Sequence, residues 1–123
     1  MSGIANYAEN QLLNTLRNVS FAVAAVWVRL HTGDPGEDAT SNLATESTRQ
    51  SVTFSAASSG QITSSSTLTW SNVAATETIT HVSLWDASTG GNALWKGALT
   101  ASRALTAGDN FTISSGSLTV SLD

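Results

Sequence analysis

From Phe21 onward the chain is a succession of short alternating runs broken by Gly, Asn, Asp and Ser, with no stretch of helical period among them. In Val26-Trp-Val-Arg-Leu-His31, Val26, Val28 and Leu30 fall on one side of a pleated ribbon and Trp27, Arg29 and His31 on the other. That period of two is what a half-buried strand imposes. Gly33-Asp-Pro-Gly36 stops the run, because Pro lacks the N–H that a ladder needs and glycine accepts positive φ. A long, acidic and mobile loop is expected from there to about Ser47. Further strand-length runs are Gln50 to Ser55, Thr67 to Ser71, Thr78 to Asp86, Ala93 to Leu99, Asn110 to Ser114 and Ser117 to Leu122. Ala87 to Asn92 reads as a hairpin connection and Ser115-Gly116 as a turn. Seven strands without an intervening helix predict a mainly β chain, folded as an antiparallel β-sandwich of jelly-roll-like form.

Ahead of Phe21 the period differs. Ile4, Ala8, Leu12 and Leu16 recur every four residues, flanked by Tyr7 and Leu13, and Ser2 is placed to cap. The pattern predicts one N-terminal α-helix from Gly3 to about Arg17. A helix of that length is marginal alone in water, so its stripe must pack on the sheet, on a symmetry mate or on another protein. The change of period near Asn18 therefore divides the chain into a docking helix, residues 1–18, and a β-sandwich domain, residues 19–123.

Charged residues are 11% of the chain, whereas Ser and Thr together number 36. Thr suits a pleated surface and Ser suits turns. A hydroxyl-lined face also meets a neighbouring protein at lower desolvation cost than Lys or Glu, which are depleted at interface cores. The net charge is −4 and the five basic residues are scattered, so no phosphate-tracking patch forms and nucleic acid is not an expected partner. The apolar run from Phe21 to Val28 is far short of the roughly 20 residues that span a bilayer. No membrane insertion is expected, and Met1-Ser-Gly-Ile4 has neither the basic residues nor the apolar run of a secretory leader.

Candidates for chemistry are few. There is no Cys, which removes disulfides and thiolate metal sites. His31 and His81 each precede an acid, Asp34 and Asp86, but a structural metal site needs about four convergent ligands. With 19 serines and two histidines some Ser–His pairing is expected by chance, and neither a Gly-x-Ser-x-Gly elbow nor a glycine-rich phosphate loop is present. The acids between Asp34 and Glu46 lack the spacing of a calcium loop. Trp27, Trp70, Trp85 and Trp95 could stack on sugar rings, although core or interface burial is the first expectation in a chain with so few other aromatics. The chain is read as non-enzymatic, with no cofactor and no metal.

Val26-Trp-Val-Arg-Leu-His-Thr-Gly-Asp-Pro-Gly36 is followed in order by Thr48-Arg-Gln-Ser-Val-Thr-Phe54, Ile79-Thr-His-Val82, Gly90-Gly-Asn-Ala-Leu94, Gly97-Ala-Leu99, Ala107-Gly-Asp109 and the terminal Leu118-Thr-Val-Ser-Leu-Asp123. That collinear set resembles a family of small tail-fibre or minor tail proteins, virion structural components of tailed bacteriophages, over almost the whole chain. The resemblance implies a virion protein assembled in the host cytoplasm, a tail fibre or tail-tip component, and supplies no catalytic residues. The alternatives are a capsid decoration or head-fibre protein and a carbohydrate-binding module that recognises host-surface glycan. The expected assembly is a symmetric homo-oligomer, a trimer in the first instance, joined to other virion proteins, with Ile4, Leu12 and Leu16 as its interface residues.

Overall fold

The computed structural model describes residues 3–121. Strand β1 (Gly3–Ile4) and helix α1 (Asn6–Thr15) are followed by strands β2 (Val26–His31), β3 (Gln50–Val52), β4 (Gln61–Thr63), β5 (Leu68–Trp70), β6 (Glu77–Trp85), β7 (Ala93–Leu105), β8 (Phe111–Ile113) and β9 (Thr119–Ser121). Five of them form one sheet in the order β1-β7-β6-β2-β3, while β4 pairs with β9 and β5 with β8 as two-stranded ribbons. Every pairing is antiparallel. The fold is mainly β with one helix: a lopsided sandwich in which ribbons share a core with one face of the larger sheet.

Period two explains that core. Val28 sits opposite Leu84 and Leu30 opposite Val82, and Leu84 in turn faces Trp95. Their side chains join Leu68, Trp70, Phe111 and Ile113 of the ribbon and Leu118 in a single buried cluster. Trp70 and Phe111 stack with centroids 5.6 Å apart, and the buried Trp70 indole donates to the Thr48 carbonyl at 2.8 Å. Fully burying each such side chain is worth about 1.5 to 3 kcal/mol.

Several boundaries differ from those the sequence predicts. Helix α1 begins at Asn6, because Gly3 and Ile4 pair as a strand with Lys96 and Trp95. Ser2, expected to cap, lies outside the described residues. Ala5 holds the N-cap position without a side-chain hydrogen bond, and the first free N–H, that of Asn6, donates to the Glu37 carbonyl at 3.3 Å. Helix ends left without such partners would carry a cost. Strand β4 falls where the sequence shows no strand-length alternation, and β7 continues to Leu105 through a register shift opposite Ile79 and His81.

The 33–47 loop is not the loose excursion expected. Pro35 and Ala39 are buried. Thr32 N donates to Asn42 O at 2.9 Å, Ala44 N to Leu30 O at 3.2 Å, and the Asn42 amide to Asp34 O at 2.8 Å. Its acidic end is stitched the same way: Glu77 accepts from the Thr45 and Glu46 amides, and Glu46 from those of Thr48 and Ala74. These carboxylates satisfy backbone donors that a charge-poor surface would otherwise leave unpaired.

Candidate functional site

The helix is held against the sheet at its start and left open beyond it. Ala5 N donates to Leu94 O at 3.0 Å, Ala8 is buried in the main core, and Tyr7 meets Phe21 edge-on at 6.2 Å. α1 packs on β7. Between helix and sheet runs an apolar groove of about 300 Å³. Ile4, Ala8 and Leu12 form one wall, Phe21, Val23 and Val26 a second, and Phe54, Ile62 and Val120 a third, over a floor of Leu84, Leu94 and Trp95. The floor depends on Gly97, since a Cβ there would lie 2.7 Å from Trp95 Cζ3. The indole can lie flat along β7 only because that Cβ is missing. Trp95 Nε1 is buried and has no hydrogen-bond partner.

The four-residue stripe groups Ile4, Leu12 and Leu16. The structure brings Ile4 and Leu12 into the groove wall and leaves Leu16 outside it. Leu16 is 84% exposed and Leu13 62%, with Val19 at 43% and Leu12 and Val23 at 37%. Leu43 is the remaining large apolar side chain of this kind among the described residues, so exposed hydrophobic surface is concentrated at residues 12–23.

On the opposite face of the sheet His31 and Ser83 are paired, whereas Arg29 Nε is buried without a hydrogen-bond partner. His31 Nδ1 lies 2.9 Å from the Ser41 carbonyl and Nε2 2.7 Å from Ser83 Oγ. A carbonyl only accepts, so Nδ1 carries the proton and Nε2 accepts from the serine hydroxyl. Ser83 Oγ in turn accepts from Trp85 Nε1 at 2.8 Å. Burial holds the His31 pKa below its ordinary value, and so favours this neutral tautomer. The expected chance Ser–His pairing is therefore present, but His31 and Ser83 are both 0% exposed and the imidazole is oriented by a backbone carbonyl. It fastens the 33–47 loop to the sheet. His81, directly opposite His31 in register, bonds Thr80 Oγ1 at 2.8 Å. Among the described residues no three His, Asp or Glu side chains converge as metal ligands.

Beside Arg29, two further cations lie on that face. Lys96, 2% exposed, lies 3.6 Å from Glu37 of the loop. Arg49 stacks over Trp85 at 4.2 Å and donates to the carbonyls of Ala87 and Gly90, both at 2.8 Å. Its guanidinium pins the 87–92 hairpin, where Gly91 at φ 73° approaches Ala87 closely. Trp70 and Trp95 are buried and Trp85 is covered by Arg49, leaving Trp27, half-buried opposite Trp85, as the remaining indole.

The chain is similar over residues 3–121 to a protein family described as podophage GP4 fiber I protein gp80. No curated protein matches it.

Proposed function

The chain belongs to the podophage GP4 fiber I protein family and is a structural component of the virion fibre, and from that premise we propose that it is a non-enzymatic tail-fibre or tail-tip subunit built into a symmetric homo-oligomer. Helix α1 and the groove beside it are the docking surface. What supports this reading is the concentration of exposed apolar side chains at residues 12–23, around an apolar groove of about 300 Å³. Ile4 and Leu12 shape the groove, and Leu16 stands beside it for a neighbour to cover. The rest of the sandwich, with its loop tied to the sheet through His31, Glu77 and Glu46, serves as the body that carries this surface. Assembly takes place in the host cytoplasm, where the subunit also meets other virion proteins.

The test is incorporation. The double variant L12D/L16D is expected to fold, judged by circular dichroism, and to be missing from purified particles, judged by immunoblot. Entry of that variant into virions at the normal level would overturn the docking role. Immunogold labelling fixes location: gold at the tail supports the fibre assignment, whereas gold spread over the head would transfer the subunit to capsid decoration.

A further inference from the structure

Helix α1 has two sides with different fates. Successive residues turn by about 100°, so Asn6, Glu9, Asn10, Leu13, Leu16 and Arg17 fall within roughly 60° of Leu13 if the helical sense continues into the following turn. All six are exposed, whereas Ala5 and Ala8 on the other side are buried. That following turn does keep bonding, with Leu16 N donating to Leu13 O and Arg17 N to Asn14 O. The outward face therefore has Leu13 at its centre, Leu16 one turn along, and one charge toward each end.

From this we infer that the outward face of α1 binds the same face of a second copy of the chain, with the helices antiparallel and the two-fold axis at Leu13. The inference rests on the reading of this domain as a self-assembling fibre subunit and specifies its partner. Charge complementarity carries it. Glu9 and Arg17 are the only charged residues between Asn6 and Ser20, they have opposite signs, and each is four residues from Leu13. Among the described residues neither forms an ion pair, and Arg17 reaches only Asn14 Oδ1, at 3.4 Å.

An antiparallel pair centred on Leu13 sets each Glu9 opposite the second copy's Arg17, twice over, about 6 Å along the axis from the centre. A parallel arrangement, as around a three-fold axis, sets Glu9 beside Glu9 and Arg17 beside Arg17, and like charges at such separations destabilise. Shifting the axis to midway between Leu13 and Leu16 would match Glu9 with Ser20 and lose both ion pairs. Direction and register are thus selected together. A two-fold interface of this kind is self-complementary, as an isologous contact requires.

A contact limited to one helix falls below the roughly 1,200 Å² of a stable interface. It is a weak association in solution, strengthened when other contacts hold the subunits at high effective concentration. The two-fold also accounts for leucines left in water at the end of a helix whose other side is buried.

The test is sedimentation equilibrium of the full chain over a wide concentration range at low salt, with the melting curve of each variant as the folding control. The wild type should approach twice the 12.7 kDa chain mass. E9R alone and R17E alone should each weaken the dimer by roughly tenfold, since exposed ion pairs are individually weak and each change replaces two of them by repulsion. The double variant E9R/R17E should restore the wild-type constant, because antiparallel matching is blind to the exchange. L13D should leave a folded monomer. A trimer mass, a monomer at every concentration, or a double variant no tighter than the single ones would each overturn the two-fold. Virion incorporation of the same variants is scored separately, so a failed two-fold that leaves incorporation intact would not undo the fibre role.

Discussion

The 33–47 loop and the 12–23 segment are both irregular or half-irregular stretches, yet the more polar of the two is the one tied down. The loop holds Asp34, Glu37, Asp38 and Glu46, and it is joined to the sheet through His31, Lys96, Glu77 and buried Pro35 and Ala39. The 12–23 segment holds Leu12, Leu13, Leu16, Val19 and Val23, and every one of these is exposed. In a chain selected only to stand alone, apolar surface would be the first to be covered. Burial on the loop side goes with hydrogen bonds between loop and sheet, whereas the large aliphatic side chains of the 12–23 segment are left exposed.

The strongest way to break this contrast is to remove the support beneath the open side. Gly97→Leu would drive a side chain into the Trp95 ring, and overpacking of that kind costs about 2 to 3 kcal/mol. The thermal midpoint should fall by roughly 10 °C for a domain of this size, and loss of Trp95 order should be seen in the near-ultraviolet circular dichroism. A midpoint unchanged within error would mean that the groove floor is not the packed surface described above.

On the fastened side, Ser83→Ala leaves His31 Nε2 without its donor and Trp85 Nε1 without its acceptor. Orphaned buried polar groups cost about 2 kcal/mol in such a network. The loss should appear first as faster hydrogen exchange at the Thr32 and Ala44 amides, which hold the loop to β2. If those amides stay protected while the whole domain loosens equally, the loop and the sheet are one cooperative unit, and the hydroxyl is not the local fastening.

A smaller effect comes from pH. Burial lowers the His31 pKa in the folded chain, so the folded state binds its proton less readily than the unfolded state. The stability this contributes is complete above the unfolded value of about 6.5 and is lost as pH falls through the lowered folded value. Protonation would turn Nε2 into a donor and leave the Ser83 hydroxyl proton to find another acceptor in a site with no solvent. Midpoints measured from pH 7.5 down to 4.5 should fall for the wild type more steeply than for His31→Gln, whose amide keeps one donor and one acceptor. Parallel curves would assign the acid sensitivity to the carboxylates instead.

How much of this was legible depended on whether the signal was local. Val26, Val28 and Leu30 alternate with Trp27, Arg29 and His31, and the two sets do lie on opposite faces of β2. The Leu68/Trp70 and Phe111/Ile113 pairs were equally readable as inward positions, and they face each other across a ribbon. Strand β4 was not, because Gln61-Ile-Thr63 holds one apolar residue in a Ser- and Thr-rich stretch and exists through its pairing with residues 119–121. Nor was the end of β7, since Ala98 to Ala104 has no clear alternation and extends against β6 across a register shift. Ser83 was one serine among 19, identifiable as the partner of His31 only once the register of β2 on β6 is known. The four-residue stripe of the helix misled in part for a geometric reason. Steps of four overshoot a 3.6-residue turn by about 40° each, so Leu16 lies some 80° around the helix from the buried Ala8, on the outward face with Leu13.

The smallest expected change in stability is also the most discriminating for the contrast between the two regions. Leu16 is 84% exposed and takes no part in the groove wall. Leu16→Ser therefore removes nothing that the isolated fold uses, and its stability should match the wild type to within about 0.5 kcal/mol, with an essentially unchanged thermal midpoint. Under the fibre reading the same substitution removes apolar area from an interface, so self-association and virion incorporation should both decline while the monomer is unharmed. A surface leucine with no partner would leave all three readouts flat. A leucine that packs within its own chain would lower the midpoint first, and would show that the 12–23 segment folds back onto the groove. Only a patch that another subunit covers separates the readouts, with stability of the monomer kept and assembly lost.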